Sequence, residues 1–145
     1  MIAVIPPGAR ALRAALEAEG CGILESADTS RGLGASLAAG VRHARDADGW
    51  IVALGDMPFI ASATFAAVAR ALREGALIAA PVHRTSDARG HPVGFSRSLY
   101  DELAGLDGDE GARSVVAHHR GDVSLIVVDD AGITRDIDTP RDLEP

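Results

Sequence analysis

A chain of 145 residues with 47% hydrophobic side chains is long enough to bury a core and too apolar for a disordered tail. Its formal net charge is −7 and all 14 basic residues are arginine, so broad nucleic-acid contact is not expected. No apolar run approaches the ~20 residues of a membrane span, and the Met1–Pro6 start has neither the basic flank nor the length of a signal peptide. A cytoplasmic protein is therefore expected, with the lone Cys21 a buried structural thiol.

Ile2–Ile5 opens the chain as a short apolar run, the pattern of a strand covered on both faces of a parallel sheet. Ala9, Leu12 and Leu16 then share a helical face, Arg13 and Glu17 form an i,i+4 pair, and Gly20 supplies the stop. Leu37, Val41 and Ala44 mark a second helix between Gly34 and Arg45. Trp50–Leu54 is the next strand-like run. A helix carrying Phe65, Val68, Ala69 and Leu72 follows, with Ser62 as its cap and Gly75 as its end. Ala76–Ala80 and Val123–Val128 repeat the pattern of the buried strand, the latter interrupted by Ser124.

Between those two runs His91–Phe95 reads as a short strand. Ser96 is placed to cap a helix with Leu99, Tyr100 and Leu103, and Gly111–His118 reads as another with Ala112, Val115 and Val116 inward. Strand–helix alternation followed by a less regular half predicts a single α/β layered domain with a mixed sheet.

Four segments carry polar chemistry. In Val52-Ala53-Leu54-Gly55-Asp56-Met57-Pro58 a buried strand ends, a glycine allows the turn, and a carboxylate arrives at the C-terminal edge, where open α/β sheets bind ligands. In Asp136-Ile137-Asp138-Thr139-Pro140 two carboxylates at i and i+2 face one way if the chain is extended, a pair that a hard cation would reconcile. Arg31-Gly32-Leu33-Gly34-Ala35-Ser36 brings small residues into a helix start, and Arg89-Gly90-His91-Pro92-Val93 sets a histidine beside a glycine. Each has a plainer structural reading as a turn, a cap or a satisfied core group. Asp107-Gly108-Asp109 resembles the opening of a calcium loop, but His118 stands where glutamate is required. The spacing of His83, His91 and His118 does not support a zinc site, and Asp129-Asp130-Ala131-Gly132 reads as a turn.

Taken in order, these segments resemble the molybdenum cofactor cytidylyltransferases and the related nucleotidyltransferase family. The resemblance rests on Gly-Leu-Gly-Ala-Ser-Leu at residues 32–37, Leu54-Gly55-Asp56-Met57-Pro58, Arg89-Gly90-His91-Pro92-Val93, Gly108-Asp109-Glu110-Gly111-Ala112-Arg113, and Asp136-Ile137-Asp138-Thr139-Pro140-Arg141-Asp142-Leu143. It implies a Rossmann-like, three-layer nucleotidyltransferase fold with a mixed, mainly parallel sheet. The activity implied is transfer of a nucleoside monophosphate, CMP by the closest motifs, from a nucleoside triphosphate to a phosphorylated acceptor such as molybdopterin, with pyrophosphate released. By the same resemblance Asp56, Asp136 and Asp138 hold Mg²⁺, and Asp56 and Asp138 are the catalytic carboxylates. Gly34, Ser36 and Gly55 contact the nucleotide, and Gly90 and His91 line the acceptor side.

Members of that family begin with a strand and a Gly-rich loop bearing an arginine and a lysine that grip the triphosphate. Here the chain opens at what corresponds to the second strand, and it contains no lysine. A strand–loop–helix unit of roughly 30 residues is the expected difference, through a misassigned start or a fragment. Weak or absent transfer by this chain alone is expected, with the exposed strand edges covered by rearrangement or a homodimer. Two rival readings stand beside this one: a glycosyltransferase using Asp136 and Asp138 as a metal clamp, and a non-catalytic accessory or nucleotide-sensing protein of molybdoenzyme maturation.

Overall fold

In the computed structural model, which describes residues 1–143, the strands form two sheets, one of two strands and one of four. In chain order the elements are β1 (Ile2–Ile5), α1 (Arg10–Ala18), β2 (Gly22–Glu25), α2 (Leu33–His43), β3 (Gly49–Val52), α3 (Ser62–Arg73), β4 (Ile78–His83), β5 (Val93–Ser96), α4 (Tyr100–Ala104), α5 (Arg113–His118) and β6 (Val123–Val128), joined by turns and short 3₁₀ segments. They fall into two compact units, each built from two stretches of chain: residues 1–47 with 99–118, and residues 48–98 with the chain from 119 onward. Among the described residues no helix is long and apolar enough to cross a membrane.

In the first unit β1 and β2 pair in parallel from Ile2 opposite Gly22 to Ile5 opposite Glu25, with α1 as the crossover. Helix α2 buries Ala35, Ala38, Ala39 and Val41, small side chains that let its backbone come close to its neighbours. At Gly40 a Cβ would lie 3.1 Å from a Val4 methyl. Leu99, Leu103, Val115 and the free Cys21 complete this apolar cluster.

In the second unit the strand order is β3-β5-β4-β6. β5 runs antiparallel to both its neighbours, whereas β4 and β6 pair in parallel from Ile78 opposite Val123 to His83 opposite Val128. The result is an α/β fold with a mixed sheet. Phe95, Ile78, Val68 and Ile133 are almost wholly buried, each worth roughly 1.5–3 kcal/mol of burial. Helix α3 packs so closely on the sheet that a Cβ at Gly94 would lie 2.7 Å from a Val68 methyl.

Several local expectations change; among them, the strands expected at Trp50–Leu54 and Ala76–Ala80 lie at Gly49–Val52 and Ile78–His83. The covering of both faces holds for β4, whose first five residues are buried, but not for β1, where Ile2 is 42% exposed, or for β6, where Leu125 and Val127 are 50% and 54% exposed. β6 is the outermost strand of its sheet and pairs with β4 on one side only. The cap of α3 falls at Ala61 rather than Ser62, and the Asp130 carboxylate accepts from the Ala61 N–H and the Thr64 hydroxyl. The strand expected from His91 begins at Val93, because Pro92 has no N–H for a ladder and the His91 N–H donates to the Ile133 carbonyl at 2.8 Å.

Candidate functional site

The second unit gathers three loops at one place. After β3, Ala53 and Leu54 lead into the Gly55-Asp56 turn, which the Met57 N–H closes on the Leu54 carbonyl at 3.3 Å. The Met57 side chain is buried and anchors the turn, while Asp56 is exposed. The Asp56 carbonyl accepts the Ile137 N–H at 2.8 Å, so the two acidic motifs, 80 positions apart in the chain, are tied backbone to backbone. Asp136 and Asp138 are both exposed on either side of the less exposed Ile137.

The third loop is Arg89-Gly90-His91. A Cβ on Gly90 would run into the Ile133 carbonyl, so only glycine lets this loop seat on Ile133. Burial pushes the His91 pKa below its usual value, against the opposing pull of a hydrogen bond to the Val52 backbone and the charge of Asp56. The ring is therefore neutral at pH 7. Its Nδ1 is buried without a hydrogen-bond partner.

Asp142 fixes the far end of the 136–142 segment. Its carboxylate accepts from the N–H groups of Asp138 and Thr139, at 3.2 and 2.7 Å, and from the Thr139 hydroxyl at 2.9 Å. These bonds, those from Thr139 first, hold the Asp142 carboxyl below the usual range. Thr139 and Asp142 stand at Ser/Thr-x-x-Asp spacing, the signature of a capped helix start, so this role was readable from sequence. Arg135 and Phe59 also belong here: the guanidinium carbon lies 3.9 Å from the centre of the ring.

Gly34 and Ser36 lie in the first unit. The Gly34 N–H donates to the Gly108 carbonyl at 2.7 Å, and a Cβ there would meet the Asp107 carbonyl oxygen at 2.6 Å. Ser36 turns its hydroxyl back to the Gly32 carbonyl at 3.0 Å, inside its own helix. Gly32, with φ at 113°, presses on Gly108 and Asp109 where no side chain would fit. Arg31 reinforces this lock through Asp107 at 2.6 Å and Asp28 at 3.1 Å, and holds the Asp107 carboxyl below its ordinary range. The Gly32–Ser36 and Gly108–Arg113 motifs thus meet: the second is the bed of the first.

Beyond the ends of β1 and β2 the same unit has an open hollow of about 460 Å³ lined by Pro6, Pro7, Ala27, Thr29 and Ser30. That volume is in the small-molecule range, and the C-terminal end of parallel strands is where such sites form. Neither proline nor these small residues carry a motif that sequence reading could have singled out.

Asp56, Asp136 and Asp138 offer hard oxygen donors suited to Mg²⁺ or Mn²⁺. Among the described residues no three His, Cys, Asp or Glu side chains group closely enough to hold a metal ion by themselves. A cation here would draw other ligands from water and substrate phosphates, the usual habit of Mg²⁺.

A family model described as a MobA-like NTP transferase domain matches residues 1–123. The purine catabolism protein PucB of Bacillus subtilis is 30% identical over 120 residues, which cover 81% of this chain and 57% of PucB. The chain thus spans little more than half the length of that relative. The Mycobacterium tuberculosis protein Rv0371c, crystallised in complex with manganese, aligns with a TM-score of 0.76 at 32% identity over 97% of this chain and 74% of its own. Molybdopterin-guanine dinucleotide biosynthesis protein A from Archaeoglobus fulgidus aligns with a TM-score of 0.62 at 21% identity over 98% of this chain and 74% of its own, a likeness of fold.

Proposed function

The chain belongs to the MobA-like NTP transferase domain family, a family of nucleotidyltransferases, and from that premise we propose that it transfers a nucleoside monophosphate from a nucleoside triphosphate to a phosphorylated small molecule and releases pyrophosphate. CMP as the transferred group and a molybdopterin-like acceptor are the specific forms of this reading, carried by the motifs. Residues 1–145 act in it as one nucleotidyltransferase domain.

The observation that carries the proposal is the hydrogen bond from Ile137 to Asp56, which ties the Gly55-Asp56 turn to the Asp136–Asp138 segment. Two acidic loops joined in this way suit a divalent cation shared with a polyphosphate. In our reading Asp56, Asp136 and Asp138 are the metal ligands, with Mg²⁺ as the physiological ion; the manganese complex of Rv0371c supports a divalent cation in this family. Such a cation, when bound, neutralises charge on the phosphates. The protein's own work is to align the acceptor oxygen with the phosphorus under attack. Gly55 leaves open space at the turn, since a Cβ there would meet nothing within 4 Å, and this suits close approach of a nucleotide. Gly34 and Ser36 take the nucleotide-contact role. Gly90 and the neutral His91 serve the acceptor side.

The test is thermal stability with Mg²⁺ or Mn²⁺ plus each nucleoside triphosphate in turn, alongside pyrophosphate release. A ligand at a hundred times its Kd adds about 2.7 kcal/mol, and Asp56→Asn is expected to remove that gain. Stabilisation by a sugar nucleotide but by no nucleoside triphosphate would replace this reading with a glycosyltransferase.

A further inference from the structure

Arg135 stands immediately before the acidic segment, and it differs from the other well-held arginines. Arg13, Arg31, Arg42 and Arg84 each form an ion pair with a carboxylate. Among the described residues Arg135 forms none, although Asp136 is its chain neighbour and Asp142 is near enough for its carboxyl to feel the guanidinium charge. It is held instead by two uncharged contacts. Its guanidinium carbon lies 3.9 Å over the centre of the Phe59 ring, and Nη2 donates to the Asp142 backbone carbonyl at 3.0 Å.

The support beneath it is rigid. The Phe59 backbone is pressed against Gly132, where a Cβ would lie 2.2 Å from the Phe59 carbonyl oxygen. The Asp142 side chain is committed to Asp138 and Thr139, as already described. A guanidinium has five N–H donors in a fixed fork. One contact occupies its face and another a single Nη2 donor, so Nε and Nη1 keep their donors unused among the described residues. A cation that is oriented in advance and paired with no described carboxylate, in a chain of net charge −7, suits a planar two-point contact to an anion.

We infer that Arg135, stacked on Phe59, binds a phosphate group of the ligand through its unused donors, the second Nη2 hydrogen paired with that of Nε or Nη1. It supplies positive charge at a place where Asp56, Asp136 and Asp138 would otherwise present only negative charge to an incoming phosphate. The inference rests on the nucleotidyltransferase reading only for the source of that phosphate, which is either the triphosphate chain or a phosphomonoester acceptor.

Titration calorimetry of the 145-residue chain, with chelator present so that metal binding plays no part, separates these cases. The probes are inorganic tripolyphosphate, standing in for the nucleotide, and glycerol 2-phosphate, standing in for the acceptor. Arg135→Gln is expected to weaken at least one probe roughly tenfold, the scale of a lost hydrogen bond to a charged group, and to flatten the salt dependence of its affinity. Arg135→Lys restores only part of the affinity, because an ammonium keeps the charge but not the fork. Phe59→Leu costs about threefold by releasing the stack. A loss confined to tripolyphosphate assigns the site to the nucleotide, and one confined to glycerol 2-phosphate assigns it to the acceptor. Full affinity for both probes in Arg135→Lys and Arg135→Gln overturns the inference, as does failure of the unaltered chain to bind either. Since no metal or nucleoside is present, these results do not depend on whether Asp56→Asn removes nucleotide-dependent stabilisation.

Discussion

The backbone N–H of Ile137 donates to the carbonyl of Asp56 at 2.8 Å, and this bond holds together two acidic loops that are distant in the chain. Ile137→Pro deletes the donor while leaving every carboxylate in place. A stability loss of about 0.5–1.5 kcal/mol is expected for the bond itself, together with loss of most of the stabilisation by Mn²⁺ and nucleoside triphosphate. Parallel melting curves with and without ligand check this; a full ligand-induced shift in Ile137→Pro would show that the loops need not be tied.

Glycines of the same unit fall into two kinds that mutation separates. Gly90→Ala drives a Cβ into the Ile133 carbonyl and is expected to cost at least the ~1–3 kcal/mol of an overpacked core. Gly55→Ala meets nothing within 4 Å and is expected to stay within about 0.5 kcal/mol of the parent. Any fall in nucleotide affinity at Gly55→Ala then reports on ligand approach. Urea denaturation and calorimetry on the two variants read both effects.

Gly34→Ala is the counterpart in the first unit. Its Cβ would sit 2.6 Å from the Asp107 carbonyl oxygen, where backbone rather than a movable side chain stands in the way. The expected loss is again ~1–3 kcal/mol, and hydrogen exchange of the Gly34 amide, now donating to Gly108, is expected to accelerate. Unchanged exchange would mean that the two glycine-rich loops do not lock.

Asp130 predicts the acid limb of stability. Partial burial acts to raise its pKa, but hydrogen bonds from Thr64, Ala61 and Gly132, with the charge of His83, outweigh it and leave the carboxyl below its ordinary value. A carboxyl depressed on folding stabilises fully above its unfolded value of ~3.9 and loses that contribution as pH falls through the folded value. Asp130→Asn is therefore expected to melt lower at pH 7, by the ~0.5–2 kcal/mol of a lost cap, and to show a shallower decline below about pH 4. Melting temperatures across pH 2.5 to 7, on the order of six points, test both halves of that statement.

Much of this was legible because it is local. Ile2–Ile5 and Val123–Val128 are strands at the limits their apolar runs suggested, and α1 and α3 end where Gly20 and Gly75 stand just beyond them. Gly22–Glu25 escaped because four residues ending in a glutamate give no clear period, and only pairing with β1 makes them a strand. The cap of α3 escaped because its acceptor lies 69 positions away in Asp130. The acidic and glycine motifs were visible as motifs. Their partners were not: the seat of Gly90 on Ile133, the bed of Gly34 on Asp107 and Gly108, and the stacking of Arg135 on Phe59 are all contacts between distant residues.

The interleaving of the two units has a consequence for how the chain matures. Residues 1–47 carry the glycine loop of the first unit, but its bed lies in residues 99–118, beyond the larger part of the second unit. During synthesis the Gly32–Ser36 loop therefore waits on the ribosome, its small residues without their partners, until Asp107 and Gly108 have emerged. Contacts of such high sequence separation slow folding and lengthen exposure of unfinished surfaces. Neither unit is a continuous stretch of chain, so dissection at any one peptide bond breaks one or both. A pause or cut between residues 47 and 99 would yield a species rich in exposed alanine and valine, and chaperone demand should concentrate in that window.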